Sequence, residues 1–143
     1  SMRQSKAEIY LHFVWATYQR MPLLGDDVER AVYACIVGEC KRLRCEVLAI
    51  GGMPDHVHLA VRVPATVAPF KLMNQVKGVS SALVRNQLLP GELFGWQDGY
   101  AVFSFSRSHR ERVVAYIGSQ KQHHATGELW NEWEHIGDAA EPA

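Results

Sequence analysis

The sequence lacks the features that would place it in a membrane or outside the cell. Its 143 residues contain no apolar run long enough to cross a bilayer, and the N-terminal stretch SMRQSKAEIY lacks the apolar segment of a secretory signal. The three cysteines, Cys35, Cys40 and Cys45, are odd in number and match no zinc-ligand spacing. We therefore expect neither disulfides nor a zinc knuckle, and we predict a soluble intracellular protein whose cysteines are small buried hydrophobes.

Neither sign of charge dominates, but the charges are unevenly distributed. The formal net charge is +0, with 15 Lys and Arg against 15 Asp and Glu. Residues 128–143 contain five of the acidic residues and no Lys or Arg, so residues 1–127 are basic by five. This excess fits a solvated surface as well as a polyanionic partner. We predict a single domain over residues 1–143, with 128–143 as an acidic, partly disordered tail.

Hydrophobic periodicity predicts an α+β fold. Alternation indicates strands in AEIYLHFVWATYQR, in GYAVFSFS and in both halves of CEVLAIGGMPDHVHLAVRVP, where residues 51–55 have the composition of a hairpin turn. Helical spacing marks VERAVYACIVGECKRLR, TVAPFKLMNQVKGVSSALVRNQL and HRERVVAYIGSQKQHHA. The order β-α-β-β-α-β is typical of the ferredoxin-like split βαβ arrangement. We expect a four-stranded antiparallel sheet with two helices on one face, its first and third strands central, and an extra C-terminal helix.

The strand PDHVHLAVRV contains two histidines that do not disturb its alternation of apolar residues. Alternation places Val57 and Leu59 on the face that meets the helices, and it places His56 and His58 together on the other face. Two imidazoles at neighbouring positions of one strand face can converge on a cation or a phosphate. An isolated pair of this kind is also compatible with simple solvent exposure, so the motif is weak on its own.

The last predicted helix carries a tyrosine and an amide that can reach those histidines. Tyr116 and Gln120 stand at i and i+4, one above the other on the helix surface. If the helix packs over the open sheet face, two imidazoles and a carboxamide oxygen can hold a divalent ion, with water or phosphate oxygens completing its coordination. A core tyrosine beside an exposed glutamine is the alternative interpretation.

Several motifs occur together in the order found in a known family. HVH on a strand, SS in the next helix, WQDGYAVFSFS and YIGSQKQHH resemble the HUH-superfamily single-tyrosine transposases. The similarity is greatest to the REP-associated tyrosine transposases and the small insertion-sequence transposases related to them. It extends from HFVWAT at residues 12–17 to Trp130, which is nearly the whole chain. HVH alone is a weak signal, whereas the ordered combination is specific.

The resemblance implies a metal-dependent transposase that acts on single-stranded DNA folded into hairpins. It implies that His56, His58 and Gln120 bind the metal. Tyr116 is then the nucleophile, which forms a 5′-phosphotyrosine link and leaves a free 3′-hydroxyl. The ligand types admit Mg²⁺ or Mn²⁺.

Two nearby residues have open roles. His124, four residues after Gln120, is expected to contact phosphate or to orient a ligand. Tyr100 is a rival nucleophile, because strand alternation can turn it toward the histidines.

Basic side chains on the second and last helices and on the histidine strand are the expected DNA contacts, mostly to phosphate. They are Arg62, Lys71, Lys77, Arg85, Arg107, Arg110 and Lys121. Two other functions stay open: a hairpin-binding protein without turnover, and a metal-dependent phosphodiesterase that uses water in place of Tyr116. The resemblance implies cytoplasmic action on nucleoid DNA. It leaves open whether a monomer or a homodimer assembles the site.

Overall fold

The four predicted strands are present and form one antiparallel sheet. The computed structural model describes residues 5–122, where the strands are β1 (Ile9–Ala16), β2 (Glu46–Met53), β3 (His56–Val63) and β4 (Ala101–Phe105). Their order is β2-β3-β1-β4, so β1 and β3 are central as predicted. The helices are α1 (Asp26–Arg42), α2 (Pro69–Leu83) and α3 (Arg110–Gly118). The predicted α+β, ferredoxin-like order of elements is confirmed.

The two faces of the sheet are covered by different helices. One face packs against α1 and α2 in the larger core, which includes Phe13 and Trp15 of β1, Ile36 of α1 and Val76 of α2. On the opposite face, a smaller cluster joins α3 to β3. Burying each large apolar side chain contributes about 1.5–3 kcal/mol, so the larger core carries most of the stability. No helix within residues 5–122 is long and apolar enough to cross a membrane.

The hairpin turn between β2 and β3 is shorter than predicted. Gly51 and Gly52 lie inside β2, paired with β3, and the turn consists of residues 54–55. A Cβ at Gly51 would collide with the Ile117 carbonyl oxygen, and a Cβ at Gly52 would collide with the His56 carbonyl oxygen. The prediction of a turn at these glycines is therefore wrong. Because glycine has no side chain, the α3 backbone can pass close to Gly51 and the β3 backbone can pass close to Gly52.

Two predicted elements end earlier than expected. β1 ends at Ala16 and is followed by one turn of 3₁₀ helix, Tyr18–Arg20. α3 ends at Gly118, a poor helix former, and the backbone leaves helical geometry at Ser119 before it is helical again from Gln120. The last helix is therefore interrupted between Tyr116 and Gln120. The predicted acidic tail, 128–143, and His124 lie outside the described residues.

The loop before β4 is attached to α2 and to the end of β1. Lys77 Nζ donates hydrogen bonds to the carbonyl oxygens of Gln97 and Gly99, at 2.8 and 2.9 Å. Trp96 Nε1 donates to Ser80 Oγ at 2.9 Å. The backbone N–H of Gln97 donates to the last residue of β1 at 2.8 Å. The SS and WQDG motifs therefore have a structural role, because they fix this loop beside the site.

Candidate active site

His56 and His58 lie at the start of β3 on the face that α3 covers. Their side chains are buried, and their ring centroids are 5.1 Å apart. Val57 and Leu59, which alternate with them, belong to the larger core on the other face. The two imidazoles therefore share one face, as the alternation predicts, and they are separated from the main core by the sheet.

Tyr116 of α3 and Gln120 just beyond it meet the histidines of the same chain. Gln120 Oε1 lies 3.2 Å from His56 Nε2. The Tyr116 ring meets the His58 ring edge-on, with centroids 5.8 Å apart and an interplanar angle of 80°. Gln120 is 2% exposed, which excludes the alternative of a solvent-facing glutamine. The contact forms although the break at Ser119 removes the continuous helical spacing assumed from the sequence.

Asp55 fixes the orientation of His56. His56 Nδ1 donates to Asp55 Oδ1 at 2.7 Å, and the Arg20 guanidinium lies 3.5 Å from Asp55 Oδ2. The hydrogen bond to His56 lowers the pKa of Asp55; partial burial opposes this shift, and the charges of His56 and Arg20 reinforce it. When Nδ1 keeps the proton that it donates to Asp55 and Nε2 loses its own, the Nε2 lone pair is available to a cation. The sequence indicated only a turn-forming role for Asp55.

His12 belongs to the cluster, although the motifs did not identify it. Its Nε2 is 2.9 Å from His58 Nδ1, and the side chain is fully buried. The signal was present in IYLHFVWA, because His12 alternates with Leu11 and Phe13, which face the larger core. Once β1 pairs with β3, His12 lies on the same face as His58. The hydrogen bond fixes the ring of His58 through Nδ1.

The donor set has the chemistry of a divalent-cation site. His56 and His58 use their Nδ1 atoms within the protein, so their Nε2 atoms are the nitrogens suited to ligation. His56 Nε2 and Gln120 Oε1 lie 3.2 Å apart, within hydrogen-bond distance, and loss of the Nε2 proton leaves a lone pair on each atom for a cation. Neighbouring ligands about 2.1 Å from one cation are separated by roughly 3 Å. Within residues 5–122, no group of three His, Cys, Asp or Glu side chains is placed to hold a metal ion, and the Gln120 amide is the oxygen donor beside His56.

The predicted DNA contacts do not form a single surface. Lys71 and Lys77 lie on α2 and Arg85 lies just after it, on the sheet face opposite to the histidines. Lys77 donates to two backbone carbonyls, and burial lowers its pKa. Its ammonium therefore stabilises the loop before β4. Contact of these three residues with DNA stays a prediction.

The other predicted contacts lie on β3 and around α3. They are Arg62, Arg107, Arg110 and Lys121. Lys121 follows Gln120 directly, and its Nζ lies 2.9 and 3.0 Å from the two carboxylate oxygens of Glu29 on α1. This ion pair attaches the segment that carries Gln120 to α1. Arg107 is paired more loosely, 3.7 Å from Glu8.

Tyr100 points away from the histidines. Its ring packs against Phe13, with centroids 6.0 Å apart, at the edge of the larger core beneath α1 and α2. The sheet therefore separates Tyr100 from His56 and His58, and this arrangement rules it out as the tyrosine that acts beside them.

A known protein family matches the part of the chain that contains the histidines, Tyr116 and Gln120. The family described as "Transposase IS200 like" matches residues 5–120, from before β1 through Gln120. The chain belongs to the IS200-like transposase family. The resemblance inferred from the motifs is confirmed, and transposition with DNA binding is the activity that membership of the family implies.

Individual transposases are similar over most of their length. The ISDra2 transposase TnpA of Deinococcus radiodurans is 25% identical over 127 residues, which cover 83% of this chain and 91% of its own. A crystal structure from Deinococcus radiodurans R1, described as that of a transposase, has a TM-score of 0.63 at 23% identity and covers 84% and 96% of the two chains. The REP-associated tyrosine transposase bound to a REP hairpin has a TM-score of 0.62 at 15% identity, covering 90% and 75%. The two structures share the fold described above.

Proposed function

We propose that this transposase cleaves and rejoins single-stranded, hairpin-bearing DNA by transesterification at Tyr116. His56, His58 and Gln120 would hold Mg²⁺ or Mn²⁺. The observation that carries the proposal is the convergence of these groups within one chain: Gln120 Oε1 lies 3.2 Å from His56 Nε2, and the Tyr116 ring packs on His58. The similar fold of a relative bound to a REP hairpin supports hairpin DNA as the substrate class.

Tyr116 supplies the attacking oxygen. Its Oη forms a bond to phosphorus while the bond from phosphorus to the 3′ oxygen breaks. The phenolic proton passes to solvent, and the departing 3′ oxygen takes up a proton. The downstream strand is then a 5′-phosphotyrosine, and the upstream strand ends in a 3′-hydroxyl. Attack by a 3′-hydroxyl on the phosphotyrosine rejoins DNA without ATP, because the diester bond has been exchanged and not hydrolysed.

The protein ligands suit a cation that must act on phosphate. The bound ion would supply Lewis-acid stabilisation of the charge that develops on the phosphate oxygens, worth several kcal/mol. Two neutral imidazoles and one amide donate no negative charge, so the positive charge would stay available to the phosphate. His12 and Asp55 hold the two rings so that their Nε2 atoms can ligate.

The cluster is closed in this structure. His56, His58, Tyr116 and Gln120 are each no more than 2% exposed. The ion pair between Lys121 and Glu29 holds the Gln120 segment against α1. A phosphate can therefore reach the Tyr116 hydroxyl only after α3 or the segment beyond it has moved.

A labelling experiment tests the chemistry. Purified protein is incubated with Mn²⁺ and a pool of hairpin oligonucleotides whose single-stranded flanks are randomised, labelled at either the 5′ or the 3′ end. We expect 3′-labelled DNA to become attached to the protein on denaturing gels, and 5′-labelled DNA to give shortened strands with free 3′-hydroxyls. Tyr116→Phe abolishes both products, whereas Tyr100→Phe, the matched change on the other sheet face, retains them.

The alternatives give different gels. A water-using phosphodiesterase produces free cleaved ends that survive Tyr116→Phe and never produces the attached strand. A hairpin-binding protein without turnover shifts the DNA on native gels and leaves every strand intact on denaturing gels. Either result contradicts the proposed transesterification.

A further inference from the structure

The turn after β1 has an unusual backbone. Gln19 and Arg20 are consecutive non-glycine residues with φ of 51° and 52°, in the left-handed region that side chains disfavour. Such residues persist only where surrounding contacts force the conformation, and they concentrate at functional sites.

Several hydrogen bonds from other segments hold the turn. The backbone N–H of Tyr18 donates to the Gly95 carbonyl at 2.8 Å, and that of Gln19 donates to Gln97 Oε1 at 3.0 Å. Thr17 Oγ1 donates to the Met21 carbonyl at 2.6 Å. The loop at 95–99 is itself fixed to α2, so the turn rests on a scaffold that extends across the molecule.

The held turn carries an exposed aromatic ring two residues before a cation that lies beside His56. The Tyr18 side chain is 43% exposed. Arg20 Nη2 lies 3.5 Å from His56 Nδ1, and Nε lies 3.5 Å from Asp55 Oδ2, with the side chain 35% exposed. His56 Nδ1 donates its hydrogen to Asp55, so it does not accept a hydrogen bond from Arg20 Nη2. The hydrogens of Arg20 Nη2 are therefore not used by His56. An exposed ring next to a guanidinium with hydrogens to donate is the combination that binds a base and a phosphate of one strand.

We propose that the turn Tyr18–Arg20 binds the nucleotide next to the reacting phosphodiester, with Arg20 on its phosphate and Tyr18 stacked on its base. This inference rests on the proposed function, because it assumes that a DNA strand enters at His56. A guanidinium held beside His56 would draw the strand toward the metal ligands, and stacking on an exposed ring tolerates any base.

Binding is measured apart from cleavage. The Tyr116→Phe protein in EDTA is titrated into a fluorescent hairpin that carries a short thymidine flank, and anisotropy is followed at several salt concentrations. Arg20→Gly is the test variant, because glycine adopts a φ of 52° without strain, and thermal melting checks that the variant is folded. Arg44→Gly is the matched control: Arg44 also has a positive φ, 60°, but it is exposed and lies before the start of β2, the end of that strand farther from His56.

We expect Arg20→Gly to weaken binding and to reduce the slope of log K against log salt by about 0.7, the value for one phosphate contact with a single strand. Arg44→Gly leaves the slope unchanged. Tyr18→Ala weakens binding by about 5- to 150-fold, and Tyr18→Phe restores it. With a flank of abasic nucleotides, Tyr18→Ala has no further effect, because no base is present to stack.

The inference is overturned if Arg20→Gly matches Arg44→Gly in affinity and salt slope, or if Tyr18→Ala costs as much with the abasic flank as with thymidine. Failure of the transesterification is seen separately, as loss of protein-linked DNA in the labelling experiment. Binding without metal by the Tyr116→Phe protein does not depend on that chemistry.

Discussion

His12 on β1 and His58 on β3 are joined by a hydrogen bond of 2.9 Å between Nε2 and Nδ1, diagonally across the two central strands. This contact makes His12 a positioning residue for a proposed metal ligand. Outer partners of ligating histidines typically contribute 10–100-fold to metal affinity.

We expect His12→Leu to weaken Mn²⁺ binding by about 10- to 100-fold, measured by electron paramagnetic resonance of the free ion. His12→Gln, which can still hydrogen-bond to His58 Nδ1, recovers part of that affinity. Thermal melting checks that both variants are folded. Wild-type Mn²⁺ affinity in a folded His12→Leu protein would show that the contact does not position His58.

The close approach of β2 to α3 gives a second prediction. Gly51→Ala places a methyl group against the Ile117 carbonyl, so the end of α3 has to move away from the sheet and take Gln120 with it. We expect a loss of about 1–3 kcal/mol in the free energy of unfolding, together with weaker Mn²⁺ binding. Gly78→Ala is the control, because a Cβ there meets nothing within 4 Å in the middle of α2 and should raise stability by about 0.5–1 kcal/mol. Urea denaturation measures both, and equal stability of the two variants would contradict the prediction.

Lys77 and Lys71 provide a comparison on one helix. Lys77→Met removes two hydrogen bonds to carbonyls of the loop before β4, so we expect a loss of about 1–3 kcal/mol in the free energy of unfolding. Lys71→Met changes an exposed side chain and should stay within about 0.5 kcal/mol of wild type. If urea unfolding shows no difference between the two variants, Lys77 does not stabilise the loop.

The lowered pKa of Asp55 leads us to expect that the stability of the protein depends on pH. Its pKa is lower in the folded protein, so its contribution is fully present above the ordinary value of 3.8 and is lost as pH falls through the lowered folded value. The difference in unfolding free energy between wild type and Asp55→Asn should therefore shrink as a urea titration is repeated from pH 5 downward. A difference that is constant with pH would mean that the carboxylate charge plays no part.

The three cysteines should be poorly reactive in the folded protein. Burial raises the pKa of each thiol, and that of Cys40 reaches about 12. Since the thiolate is the reactive form, we expect slow alkylation by iodoacetamide at pH 8, with Cys40 reacting last. Mass spectrometry of the native and urea-unfolded protein measures the rates. Fast labelling of Cys40 in the native protein would contradict the prediction that burial raises the pKa of its thiol.

Local patterns predicted the parts of the site that depend on one segment. The period of two in β3 is enough to put His56 and His58 on one face, and the same rule applied to β1 would have included His12. The order of elements predicted central positions for β1 and β3, because few connections between these elements are compatible with right-handed crossovers.

Contacts between distant segments could not be predicted in this way. Gly51 looks like a turn residue until α3 is seen to pass directly above it. Asp55 and Arg20 are separated along the chain by α1 and β2, and only the folded hairpin brings them together at His56. The spacing of a straight helix predicts that Tyr116 and Gln120 reach the histidines together, and both side chains contact them although the chain bends at Ser119.

The covering of the histidines by the end of α3 has a consequence for the choice of which DNA strands are cut. Under the proposed function, a strand that merely collides with the protein would find Tyr116 and the histidines covered, because part of its binding energy must first go into uncovering them. Under the proposed chemistry, weakly held single strands from replication or repair would leave before they could be nicked, and only a strand gripped at several points would stay long enough to be cut.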